Sequence, residues 1–225
     1  MVTRLKLKYF LSEAEGTFSL VARCPKTHAL GVCVSSATIA VGSAVPHVEP
    51  NVGALAVQGY TNFFLGVNGL KLLRSGHPPE DVINTLLKGD PLKEMRQISI
   101  IDSLGRKAAF TGRETLEWRG HIIGENCVAA GNALVSEKVL EAMVNAFEMA
   151  EGEWLAERLM RSLEAGGKAG GDRRGMRSAA LIVAEREPIH ESRPLVDLRV
   201  DLDIEPIKKL RIIFESYKEW LRITC

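Results

Sequence analysis

The sequence predicts an α+β fold, with two mainly antiparallel sheets face to face and helices on their outer sides. Three observations predict it. Strand-like runs arrive as hairpin pairs rather than as repeated βαβ units, which favours antiparallel pairing. Helical periodicity arrives in paired segments between the groups of strands. The 225 residues are 46% hydrophobic and 25% charged, enough to bury one large core. The chain divides into a leader or flexible extension over residues 1–16, one large domain over 17–203, and a C-terminal helix over 204–225.

The first element is TFSLVARC, residues 17–24, apolar and β-branched. PKTHA, 25–29, is turn chemistry led by Pro25, and LGVCVSS, 30–36, is strand-like again. The pair predicts a β-hairpin with a five-residue loop. Folding about 26–28 places Thr17 across from about Ser36, with Ser35 nearby. After a loop around Pro46 and Pro50, VGALAVQGY, 52–60, predicts a third buried strand. A helix follows with Phe63, Val67, Leu70 and Leu73 on one face and Gly76 at its end. Pro78 and Pro79 open a shorter helix through Val82, Ile83, Leu86 and Leu87.

RQISIID, 96–102, and RKAAFTG, 106–112, flank Ser103–Gly105 as another hairpin. The strand NCVAAGN, 126–132, leads into a helix from Ser136 with Val139, Leu140, Met143, Val144 and Phe147 inward. A further helix carries Leu155, Leu159 and Leu163 to Gly166–Gly167. The glycine-rich loop GGKAGGDRRGMRS, 166–178, precedes a buried strand, AALIVAER. VDLRVDLD, 196–203, alternates apolar and polar as a half-exposed strand should. Pro206 opens a last helix with Ile207, Leu210, Phe214, Tyr217 and Leu221 on one stripe.

Several function classes lack their signatures. With 29 Lys+Arg against 28 Asp+Glu the net charge is +1, which gives no footprint for nucleic acid. Cys24, Cys33, Cys127 and Cys225 form neither a zinc pattern nor a disulfide framework; buried reduced thiols are expected. No apolar run reaches membrane-spanning length, and LKLKYFL at 5–11 is too short and too charged for a signal sequence. A cytoplasmic protein is expected, with no membrane partner, no metal and no cofactor. In the glycine-rich loop Gly-Lys is followed by Ala and leads into a strand, so it is not a Walker A motif. There is no GxSxG elbow, and the histidines, His121 among them, offer no triad.

TFSLVAR, LGVCVSS, AVGSAVP, GALAVQGYTN, RQISIID, AAFTG with GH at 120–121, AGN at 130–132 and above all AGGDRRGMRSAALIV together resemble one family. It is the domain of unknown function family 1028 (DUF1028), which belongs to the Ntn-hydrolase superfamily. The resemblance runs from Thr17 to about Asp203. It implies a four-layer αββα sandwich, in agreement with the elements above. By superfamily analogy it implies an amidohydrolase acting on a linear amide or N-acyl bond. The alternative is a non-catalytic small-molecule binding or assembly protein with the same fold.

The superfamily's chemistry makes sense of Thr17. An N-terminal threonine carries its own base, an α-amine of pKa ~7.7–8.0 that can take the hydroxyl proton. Residue 16 is Gly, so removal of an initiator Met cannot expose Thr17; only a cut at Gly16–Thr17 can. Gly before Thr is how autoprocessed relatives such as proteasome β subunits look. The chain departs from them in having no lysine between Lys26 and Lys71, so the proteasome-type lysine partner is absent.

Each candidate has a plain reading beside the functional one. Thr17 is a strand residue or the nucleophile; Ser35 and Ser36 bond backbone or polarise it. Asn132 caps the next helix or completes an oxyanion hole. Asp172, Arg173 and Arg174 are a solvated run or internal pair, or an arginine there clamps a substrate carboxylate. Gln58, Tyr60 and Asn62 make rim contacts or substrate contacts, and Thr111 has the same two readings. The expected partner is a small-molecule substrate that carries a carboxylate, bound by a homo-oligomer.

Overall fold

The computed structural model describes residues 16–187 and 194–224, the side chains of 222–224 excepted. The leader expected over residues 1–16 thus lies outside the described residues except for Gly16, as does Cys225. In chain order the strands are β1 (Thr17–Arg23), β2 (Leu30–Ser36), β3 (Pro46–Glu49), β4 (Gly53–Gly59), β5 (Arg96–Asp102), β6 (Lys107–Thr111), β7 (Gly120–Ile123), β8 (Cys127–Asn132), β9 (Ser178–Ala184) and β10 (Val196–Val200). The helices are α1 (Phe63–Arg74), α2 (Pro79–Leu87), α3 (Lys138–Met149), α4 (Leu155–Lys168) and α5 (Pro206–Thr224).

The strands form a six-stranded sheet in the order β10-β9-β2-β1-β8-β7 and a four-stranded sheet in the order β3-β4-β5-β6. Every pairing within them is antiparallel. The sheets pack face to face; α3, α4 and α5 cover the outer side of the larger one, and α1 and α2 cover the smaller. This is the four-layer αββα sandwich the sequence predicts.

Alternation along β1 shows why its sequence reads as one apolar run. Phe18, Leu20 and Ala22 pack towards the helices with Leu140, Met143 and Leu159. Val21 faces the other way, into an inter-sheet layer with Val32, Val34, Ala54 and Ile101. A strand buried on both faces needs apolar residues at odd and even positions alike. The hairpin register is the one expected, with Thr17 opposite Ser36.

Two features differ from the sequence reading, the short strands β3 and β7 and the face of α1; the described cysteines agree with it. β3 falls where the sequence predicts a loop around Pro46 and Pro50, and β7 where it predicts no element; four residues each, they open on Pro46 and Gly120, residues that ordinarily mark turns. The buried face of α1 is Leu65, Gly66, Gly69 and Leu73, while Phe63 is 48% exposed. The His47 ring lies so close to α1 that a Cβ on Gly66 would meet His47 Nε2 at 2.1 Å, so glycines set that contact face. Cys24, Cys33 and Cys127 are free thiols, and burial pushes Cys33 and Cys127 up to about 12. Among the described residues no helix is long and apolar enough to cross a membrane.

Candidate active site

Antiparallel order brings one end of six strands together: the starts of β1 and β5 and the ends of β2, β4, β6 and β8. Thr17 lies opposite both Ser36 and Asn132, and cross-strand partners share a face, so all three side chains enter the inter-sheet layer. Ser35 pairs with Phe18 instead, which turns it to the helix side, where its hydroxyl donates to the Ser178 carbonyl at 2.9 Å. The convergence expected for Thr17, Ser35 and Ser36 therefore holds for Ser36 alone, because neighbours along a strand face opposite ways.

Thr17 Oγ1 donates to Ser36 Oγ at 3.2 Å, and Ser36 Oγ donates to the Gly16 carbonyl at 2.5 Å. Thr38 supports the same oxygen through its backbone N–H at 3.1 Å and its hydroxyl at 2.7 Å. The carbonyl carbon before Thr17 is thus polarised by one hydroxyl while a second hydroxyl stands one residue away. Gly16 occupies a slot only glycine fits: a Cβ there would sit 2.4 Å from Asp172 Oδ2, 2.4 Å from Arg174 Nη2 and 2.7 Å from Ala133 Cβ.

Asp172 builds that slot. Its carboxylate, 2% exposed, accepts from Ala37 N at 3.1 Å, Arg174 N at 3.0 Å, Arg174 Nε at 3.1 Å and Arg174 Nη2 at 3.0 Å. One buried acid therefore ties the glycine-rich loop to the turn after β2. This is the internal Asp–Arg pair of the plain reading. Arg173 is exposed, and its backbone N–H bonds the Ala133 carbonyl at 2.9 Å.

Behind Thr17 lies a buried amide network. Gln97 Nε2 donates to the Gly131 carbonyl at 2.9 Å, the Gly120 carbonyl at 3.0 Å and Thr111 Oγ1 at 3.0 Å. Those acceptors fix which way the Gln97 amide points, so its Oε1 takes bonds from Gln58 Nε2 at 2.8 Å and Asn132 Nδ2 at 2.9 Å. Gln58 Nε2 also reaches the Ala130 carbonyl at 3.2 Å, and its Oε1 accepts from Ser19 Oγ at 2.8 Å. Asn132 Oδ1 is left buried with no partner among the described residues. Asn132 does not cap the following helix through a side-chain bond, since α3 has none.

Gln97 was missed as a site residue. The available signal was compositional: Gln58 and Gln97 are the chain's two glutamines, and Gln58 stands in an otherwise apolar strand. Thr111 is at the network's outer end, with its hydroxyl 2.9 Å from His121 Nδ1. Asn62 is the N-cap of α1, its side chain accepting from Phe64 N at 3.1 Å, and Arg96 stacks over the Tyr60 ring. Among the described residues no group of three or more His, Cys, Asp or Glu gathers as a metal would require.

A family model described as a family of unknown function (DUF1028) matches residues 17–210. A crystal structure of a DUF1028 protein from Silicibacter pomeroyi is 34% identical, covers 91% of this chain and 89% of its own, and superposes with a TM-score of 0.81. Anbu, an ancestral β-subunit from Yersinia bercovieri, is 10% identical over 92% of this chain and 97% of its own, with a TM-score of 0.40. No curated protein matches the chain.

Proposed function

The chain belongs to DUF1028, a family of unknown function, and we propose that it is an N-terminal-nucleophile amidohydrolase acting on a linear amide or N-acyl bond. The observation that carries this reading is the Ser36 hydroxyl on the Gly16 carbonyl, with the Thr17 hydroxyl bonded to the same Ser36 oxygen. The family match beginning at Thr17 and the αββα layers support it.

The first step is maturation. Thr17 Oγ attacks the Gly16 carbonyl carbon, and Ser36 O–H stabilises the oxyanion that forms. Collapse breaks the Gly16–Thr17 C–N bond, the amine takes a proton, and the resulting ester is hydrolysed by water to a Gly16 carboxylate and a free Thr17. The freed α-amine, of pKa ~7.7–8.0, then serves as base for the hydroxyl, and Asn132 Oδ1 accepts a hydrogen bond from that amine across the strand pair. Asn132 thus acts through its oxygen rather than as the oxyanion donor. Attack on a substrate amide gives an acyl-enzyme and releases the amine product; water releases the acid. Arg173, exposed on the glycine-rich loop, anchors a substrate carboxylate, while Arg174 holds Asp172. The active species is a cytoplasmic homo-oligomer.

The test is the intact mass and N-terminal sequence of protein purified from its native host. A species beginning TFSLVAR, together with an uncut chain in Thr17→Ala, supports the reading. A full-length species sinks it and favours the second reading, a non-catalytic binding or assembly protein. The 6% exposure of Thr17 is the observation on that side.

A further inference from the structure

A cavity of about 440 Å³ lies at the other end of β1, where the strand runs out at Cys24 and α4 begins. Seven residues at ~3.3 Å each put it ~20 Å from Thr17. Its volume is that of a small-ligand site. Cys24, Phe147 and Arg158 are buried at its floor, Trp154 forms part of a wall, and its rim is exposed charge.

Arg158 is the anomaly. It is 5% exposed, yet among the described residues no carboxylate lies within ion-pairing distance of it. Its Nε and Nη2 donate to the Phe147 carbonyl at 3.2 and 3.1 Å, and Cζ stands 3.9 Å from the Phe147 ring centroid. Those neutral contacts offset part of the cost of burial, but the formal charge stays unbalanced. Arg158 also stands in the first turn of α4, where the helix dipole disfavours a cation. Cys24 feels the same field. Burial pushes its thiol up, but hydrogen bonds from Thr27 and the charge of Arg158 bring it below its ordinary value.

The rim has the opposite sign. Glu125, Glu148 and Glu151 are exposed and make no ion pair among the described residues. Glu153 pairs with Arg161, and Lys26 is the cation on this rim. A simple anion would have to pass an acidic mouth to reach Arg158, and a simple cation would find a guanidinium beneath it.

We infer that this cavity binds a small zwitterion of the α-amino-acid kind, its carboxylate on Arg158 and its ammonium at the rim glutamates. An apolar side chain would lie against Phe147 and Trp154. The site stands independently of any reading of Thr17.

Cys24 supplies a local reporter. Its alkylation by iodoacetamide is followed by peptide mass on the full chain, with L-leucine, with isocaproate (leucine without its ammonium) and with isoamylamine (leucine without its carboxylate). Leucine at ten times its Kd should slow the reaction about tenfold, while the other two at that concentration leave it near the unliganded rate. Arg158→Met should abolish the protection. Arg158 is buried, so a second arm that spares the fold is provided by Glu148→Gln and Glu151→Gln on the exposed rim, which should weaken the protection. No protection by leucine, equal protection by isocaproate, or protection unchanged in both rim variants would overturn the inference.

Discussion

The space between the two sheets is built from two chemistries within the length of one strand. Along β1 the inward residues are Thr17, Ser19, Val21 and, at the far end, Arg23, and the first change of character falls between Ser19 and Val21. On the Val21 side the layer is Val32, Val34, Ala54, Ala56, Ile101 and Val128, which any well-shaped aliphatic set can replace. On the Thr17 side it is Ser19, Ser36, Gln58, Gln97 and Asn132, tied by directed bonds that few other side chains could make. Burying amides costs free energy unless each is paired, and an aliphatic filling would have been simpler. The network of buried amides around Gly16–Thr17 is the ground on which the proposed chemistry is placed there and not at the centre of the layer.

The sharpest way to break this comparison is Thr17→Ala. It should abolish both cleavage at Gly16–Thr17 and amidase activity, read by intact mass and by product release, with little loss of fold because one hydroxyl and one methyl are a small part of the packing. Ser36→Ala should slow the cleavage while leaving Thr17 in place.

Next comes Gln97→Leu, which removes an amide serving Gly131, Gly120, Thr111, Gln58 and Asn132 at once. Orphaning several buried partners should cost roughly 3–5 kcal/mol, seen as a lower urea midpoint. A loss under 1 kcal/mol would mean that the cluster is wet and loosely held.

A smaller effect tests a polar group placed outside the cluster. Burial holds His47 down at about 4, and its ring bonds the Phe63 carbonyl at 3.0 Å. Between pH 6.5 and about 4 the unfolded chain takes a proton that the folded chain refuses. Stability should therefore fall as pH drops through that window, by roughly 2–3 kcal/mol, and be flat with respect to this group above it. Denaturant titrations at several pH values, against a His47→Gln control, measure it. Smallest is Ile101→Val in the aliphatic half, expected to cost about 1 kcal/mol.

The sequence carried the β1–β2 hairpin, its register and the inward face of α3 plainly, because long periodic runs bounded by turn residues have one sensible fold. It carried β3 and β7 poorly. Four-residue strands opened by Pro46 or Gly120 have little periodicity, and their identity comes from a neighbouring strand rather than from their own side chains. Apolar periodicity sets the face of α1 on Phe63, Val67, Leu70 and Leu73 and so misplaces it, because Gly66 and Gly69 contribute contact by what they lack. At the site, Thr17, Ser36, Asn132 and Gln58 were legible as strand-end polar residues. Ser35 was placed with them only until alternation is applied, and Gln97 gains its meaning from carbonyls 23 and 34 residues away.

The position of β1 in its sheet has one further consequence. Chain ends ordinarily fray, since a terminal residue has few neighbours to hold it. A chain cut before Thr17 would begin on an interior strand, laddered to β2 on one side and β8 on the other from its first residue. The amides of Phe18 to Ala22 would then be among the last to exchange with deuterated solvent, and the newest end of the molecule would also be its most firmly anchored point.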